Sequence, residues 1–130
     1  MANPVVTNND LGSVILSNPI INNDTLEFAG ADTWVEGLML GRDGTSGKLV
    51  PFVDGGSGGE EIPLAILTYE VTTTGAGDVA GRVLVAGQVR YERLVIKAGG
   101  TVTAAMRDLL RDYGIQSVET TELNILDNQT

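Results

Sequence analysis

The chain contains neither cysteine nor histidine. Without cysteine there is no disulfide scaffold, no thiolate metal site and no thiol nucleophile. Without histidine it lacks the commonest general base and the commonest transition-metal ligand, so a Ser–His–Asp triad cannot be assembled. Enzyme readings fall back on carboxylates, Lys or Tyr. Basic residues are scarce too: eight Lys and Arg stand against 17 Asp and Glu, for a net charge of −9. Phosphate backbones are bound chiefly by Lys and Arg that release counterions, so a chain this acidic is repelled by DNA and RNA. No apolar run approaches the ~20 residues that a membrane helix requires. The opening MANPVVTNNDLG carries neither the basic stretch nor the apolar core of a signal peptide. Aromatic residues make up 5%, with a single Trp, which is little to build a sugar-binding platform. No catalytic residue, metal site or cofactor site is expected, and neither a nucleic-acid nor a membrane partner.

What remains is enough for one small domain. The chain has 130 residues, 42% of them hydrophobic, an ordinary content for a globular protein. A monomer of this size buries about two-thirds of the surface its unfolded chain exposes. Residues 1–33 lack Lys and Arg and are rich in Asn, with Pro4 and Pro19. Asn and Pro favour turns and extended chain over helix. Short apolar groups are embedded there, at Val5-Val6, Val14-Ile15-Leu16 and Ile20-Ile21. Two readings stand for this segment: an extended N-terminal arm with adhesive stretches, or a first strand in the domain's own sheet.

From Trp34 the pattern becomes β-rich, and residues 34–117 are taken as the domain, with 118–130 a tail of weak strand character at Leu123 and Ile125. Leu38-Met39-Leu40 is a short apolar run, and GRDGTSG after it is a turn signal. Lys48 to Val53 reads as a strand, with Pro51 suggesting an edge. DGGSGGEE, residues 54–61, reads as a flexible exposed loop. Ile62 to Thr68 is another apolar run. Val83, Val85 and Val89 alternate as in a half-buried strand, with Gly87 in an inward slot. One helix is expected over about 103–113. Met106, Leu109, Leu110 and Tyr113 fall on one face, Thr103 or Thr101 caps the start, and Gly114 ends it with Ile115 closing on Leu110. Arg107, Asp108, Arg111 and Asp112 form a solvated face.

Several stretches mimic chemical motifs. Gly75-Ala76-Gly77-Asp78-Val79-Ala80 fits a dinucleotide fingerprint formally, but no helix opens in it, so it reads as a hairpin turn. Gly47-Lys48 has Arg42 where a phosphate loop needs glycine and Leu49 where it needs a hydroxyl. Asp43, Asp54, Glu60 and Glu61 lie in Gly-rich loops without the spacing of a Ca²⁺ site and read as solvated carboxylates. Trp34 is a core plug or an anchor. Arg90-Tyr91-Glu92-Arg93 reads as a strand end with paired charges outside.

The order of these pieces is itself informative. GLMLGRDGTSGKLVPFVDG, a Gly-rich loop and IPLAILTYEVTTTGAGDVAGRVLVAGQVRYERL follow one another over Gly37 to Leu94, and Leu-Leu-Arg-Asp-Tyr-Gly-Ile closes the helix. The series resembles the lambda-type bacteriophage head decoration proteins. The resemblance implies a mainly β fold, a small β-clip or β-barrel-like domain with one C-terminal helix and an extended N-terminal arm. It implies a homotrimer whose partner is the major capsid protein. The trimer would be made in the host cytoplasm and sit on the outer surface of the virion capsid, where it stabilises the expanded head against DNA pressure. The arm would then supply the capsid contacts, with Val5, Val6, Val14, Ile15, Leu16, Ile20 and Ile21 as candidates. Two other classes compete: a trimeric adhesin-like binding module, and a carboxylate-dependent glycosidase with two converging carboxylates.

Overall fold

The computed structural model describes residues 14–119. The protein is mainly β, with one helix near its C-terminal end. The strands are β1 (Ile15–Phe28), β2 (Asp32–Trp34), β3 (Met39–Arg42), β4 (Leu49–Pro51), β5 (Ala65–Leu67), β6 (Val71–Thr73), β7 (Gly77–Arg90) and β8 (Ile115–Val118), and the helix is α1 (Ala104–Asp112). β1, β4, β3, β5 and β7 pair in that order, and β7 pairs back with β1, which closes a small barrel-like ring. β8 adds to β7 in parallel, and β2 pairs with β6 in a separate two-stranded sheet. From Ile15 onward the N-terminal segment is therefore the first strand of the domain's own sheet, antiparallel to β7 along its length.

Both faces of the ring are buried where its strands are short. Met39, Ile66 and Leu84 belong to one apolar cluster, with Val14, Phe52, Val89, Met106, Leu110 and Ile115. Their chain neighbours Leu38, Leu40, Ala65, Leu67 and Val83 belong to the other, with Leu26, Phe28, Trp34 and Leu49. Successive side chains of a strand point to opposite faces, so a strand covered on both reads as a continuous apolar run. That is why Leu38-Met39-Leu40 and Ala65-Ile66-Leu67 show no alternation. It also corrects the half-buried reading around Val83: Leu84, between two valines, is fully buried. Each such side chain contributes about 2 kcal/mol relative to exposure. Trp34 is a core plug, 2% exposed and stacked on Phe28 with ring centroids 3.9 Å apart.

α1 begins where the capping residue predicts. The Thr103 hydroxyl accepts from the Met106 N–H at 3.3 Å, and Gly114, at φ 88°, follows its end. Only Met106 and Leu110 of the expected face are buried, whereas Leu109 and Tyr113 are exposed. A helix of nine residues lies on the core along a single i, i+4 row, and the flanking row meets solvent. Arg107 is not part of a solvated face either: it donates to the Ser117 hydroxyl and carbonyl and lies over the Tyr91 ring. Arg90, expected outside, is buried.

Two loop readings change as well. The Gly-rich loop 54–61 folds onto the β3–β4 turn, with Gly44 N–H donating to the Gly58 carbonyl at 2.7 Å and Val53 N–H to the Glu60 carbonyl at 3.0 Å. A side chain at Gly41 would meet the Glu60 backbone at 2.8 Å, so that glycine permits the close approach. The turn at 74–76 does not join a hairpin, because β6 pairs with β2 and β7 with β1.

Candidate functional site

Of the segment singled out by its apolar groups, the described part begins at Val14. Val5 and Val6 lie outside the described residues. Val14 is buried; its N–H donates to Glu36 Oε2 at 3.1 Å and its carbonyl accepts from Arg90 N–H at 2.8 Å. These bonds fix Val14 at the head of β1. Val14 itself serves the monomer's core. Ile15 and Ile21 are half-buried and pack against the same cluster, Leu16 is half-buried, and Ile20 is 55% exposed.

Local chemistry gives this stretch an irregular shape. Pro19 has no N–H and disfavours the α region for the residue before it. Asn18 takes φ 52°, the left-handed region that Asn enters more readily than most side chains. The ladder to β7 shifts register between Ile15 and Ser17, between Ser17 and Ile20, and between Ile20 and Ile21. Opposite the kink stands Gly87, at φ 125°. A Cβ there would come within 2.6 Å of the Asn18 carbonyl oxygen and 2.9 Å of Pro19 Cα. The Ser17 hydroxyl donates to Gln88 Oε1 across the kink.

The other edge of β1 has little strand pairing among the described residues. Among the described residues, the only strand pairing on that edge is Leu26 with Leu49 of β4. An unpaired strand edge is a template for an incoming strand, with main-chain hydrogen bonds giving affinity. A hollow of about 250 Å³ is lined by Ile15 and Ile21 of β1 together with Glu36, Thr68, Tyr69 and Arg82. Tyr69 is 59% exposed, with the Arg82 guanidinium 5.9 Å from its ring centroid. The arrangement offers backbone, an aromatic face and one exposed isoleucine, which is binding chemistry. Tyr69 was missed in the sequence because a lone aromatic in a loop carries no periodicity.

Asp24, Asp32 and Lys48 are shifted by surface partners. For Asp24, burial pushes the carboxyl up, but the hydrogen bonds from Arg42 and Thr25 N–H and the Arg42 charge outweigh it and hold the pKa below 3.8. Asp32 is held low by its hydrogen bond from Lys97 and by Thr33 N–H. Lys48 is raised by its hydrogen bond to Asp78. Among the described residues no group of three or more Asp or Glu is arranged to hold a metal ion.

A family model described as bacteriophage lambda head decoration protein D matches residues 6–115. The match takes in β1, the barrel, α1 and the first residue of β8, together with part of the segment ahead of Val14. No curated protein matches the chain.

Proposed function

Because the chain belongs to the bacteriophage lambda head decoration protein D family, we propose that it is a structural virion protein that binds the outside of an expanded phage head as a homotrimer and braces it against the pressure of packaged DNA. The partner is the major capsid protein, and the protein is made in the host cytoplasm before it joins the shell. Its role is mechanical rather than catalytic, in keeping with a chain that has neither histidine nor cysteine. The acidity of the chain is no obstacle on a surface that faces away from DNA.

The observation that carries the reading is the family match over residues 6–115. A mechanism goes with the reading. The segment ahead of Val14 supplies Val5 and Val6 to an edge strand of the shell, and Ile20 and the sparsely paired edge of β1 extend the same contact. Ile15, Leu16 and Ile21, half-buried, support it from the domain. Each segment needs only weak affinity, because three on one trimer act at high effective concentration, with avidity up to 10²–10⁴-fold beyond one. Preferential binding to the expanded shell shifts the shell's own equilibrium toward that state.

Co-sedimentation with expanded, undecorated heads tests this. Full-length protein should pellet at a fixed ratio to shell subunits, and a variant lacking residues 1–13 should stay in solution while keeping the far-UV spectrum of the fold. Decorated heads should rupture at higher temperature than bare ones. Equal rupture temperatures would refute the brace even if binding occurred.

A further inference from the structure

A second surface shares no lining residue with the hollow at Ile15 and Ile21. The β1–β2 turn (Ala29, Gly30, Ala31) and β4 with the residues after it (Val50, Pro51, Val53) border a groove of about 530 Å³ over Trp34 and Phe52. That is within the ~300–1,000 Å³ of sites that bury ligands or anchor side chains. Its floor is apolar and its rim is acidic: Glu27, Asp32, Asp43 and Glu60 all line it. Lys97 at the rim is held by Asp32 at 3.0 Å. Glu27 meets the Ser46 hydroxyl and lies near Lys48. Asp43 and Glu60 accept backbone N–H groups of their own turns, and among the described residues neither forms an ion pair. A low-dielectric floor beside uncompensated carboxylates favours a segment that is apolar in the middle and cationic at its flanks.

The chain cannot supply such a segment itself. Its eight Lys and Arg all lie between Arg42 and Arg111, so residues 1–13 and 120–130 contain none. Arg42, Lys48, Lys97, Arg107 and Arg111 are already in ion pairs. Arg82 lies over Tyr69, and Arg90 is buried. A second copy would have to dismantle its own contacts, or present Arg93 alone, to meet this rim.

We propose that the groove docks an extended segment of the shell protein that carries an apolar anchor flanked by Lys or Arg. The groove's chemistry rests on its own residues; the shell as owner of the segment rests on the family reading above. This contact is separate from that of residues 1–13 and gives each subunit a second, salt-sensitive point of attachment.

Two measurements on the full-length chain test it. First, the blocked hexapeptide Gly-Lys-Leu-Phe-Arg-Gly is titrated against the protein at low salt, with a version carrying Glu in place of Lys and Arg as control. Trp34, the single Trp, lines the groove and reports occupancy by its fluorescence. Saturable binding of the basic peptide, weakened at least tenfold by 0.5 M NaCl and by Ala31→Arg, is the expected result. Ala31 is exposed, so the variant keeps the fold while placing its own cation in the groove; Glu60→Gln, a milder change, should weaken binding severalfold. No saturation by millimolar peptide, or equal binding of the acidic control, overturns the proposal. Second, head co-sedimentation compares wild type with Ala31→Arg. A tenfold loss for the variant supports the shell as owner, and equal binding refutes it. Heads that bind neither form refute the family reading and the owner together, while the peptide titration still decides the groove. Loss of self-association in Ala31→Arg would assign the groove to a second copy and overturn the proposal.

Discussion

From Ile21 to Phe28, β1 runs in unbroken register with β7, whereas between Ile15 and Ile21 the register shifts repeatedly. The regular half is held by its ladder and by side chains, with Leu26 and Phe28 in the core. The irregular half is held by steric fit: a proline, an asparagine at positive φ and a glycine whose missing Cβ admits them. Bulges re-aim side chains and end pairing. Here the broken half exposes Ile20, and the regular half forms one wall of the barrel. Under the proposed function, one strand would serve binding where its pairing is interrupted and stability where it is not.

The largest expected effect contrasts two glycines of β7. Gly87→Ala forces a Cβ into the Asn18–Pro19 backbone at a φ of 125° and should destabilise by about 3 kcal/mol. Gly81→Ala keeps clear of backbone but brings its Cβ within 2.5 Å of Leu26 Cδ1 and 2.8 Å of its Cγ, a fully buried side chain that must repack, and should destabilise by about 2 kcal/mol. Urea unfolding with an unchanged m-value measures both. Equal losses would mean that the irregular half is no more tightly determined than the regular one.

Ile20→Asp separates binding from folding. Ile20 is largely exposed, so stability should stay within about 0.5 kcal/mol. Affinity for heads should fall at least tenfold, equivalent to about 1.4 kcal/mol, since a charge replaces an apolar contact at the edge. Unchanged pelleting would remove Ile20 from the contact and leave it to residues 1–13.

Asn18 sharpens the steric side of the contrast. Asn18→Ala places an ordinary side chain at a φ of 52° and should lose about 1 kcal/mol, while Asn18→Gly stays within about 0.5 kcal/mol. If Gly is as damaging as Ala, the loss comes from the Asn side chain and not from the backbone.

Much of this was legible in the sequence where one residue decides a local structure. Thr103, Gly114 and the Met106–Leu110 spacing marked α1, and the turn signals separated the short strands. The helix's buried width was not legible, because Leu109 and Tyr113 are as apolar as Met106 and only the tertiary fit exposes them. The pairing of Ile15–Phe28 was not legible either: these residues have the same composition whether they pair with β7 or extend into solvent, and pairing depends on a strand that begins 49 residues after Phe28, at Gly77. The Gly-rich loop looked flexible because its composition is, yet its backbone bonds to the β3–β4 turn order it, which in turn sets Glu60 beside Asp43. Of the candidate site, the sequence showed the apolar groups but not the kink, since Gly87 opposite Asn18 is a tertiary coincidence of two unremarkable residues.

The smallest expected effect lies in the regular half, at Asp24. Its carboxylate meets Arg42 at 2.9 Å, and Arg42 also donates to the Gly47 carbonyl at 2.8 Å, so the pair ties β1 to the β3–β4 turn. Both side chains are partly exposed, at 28% and 42%, so solvent screens the pair and Asp24→Asn should lose only about 0.5 kcal/mol near pH 7. The folded pKa lies below the ordinary 3.8. The contribution is therefore fully present above the unfolded value and fades as pH falls through the folded one. Wild type and variant should converge in urea midpoint as the pH falls below the lowered folded pKa, and in high salt. A gap that persists undiminished at low pH would trace the loss to the hydrogen bond from Thr25 N–H and not to the charge, and would make the regular half, too, a matter of fit.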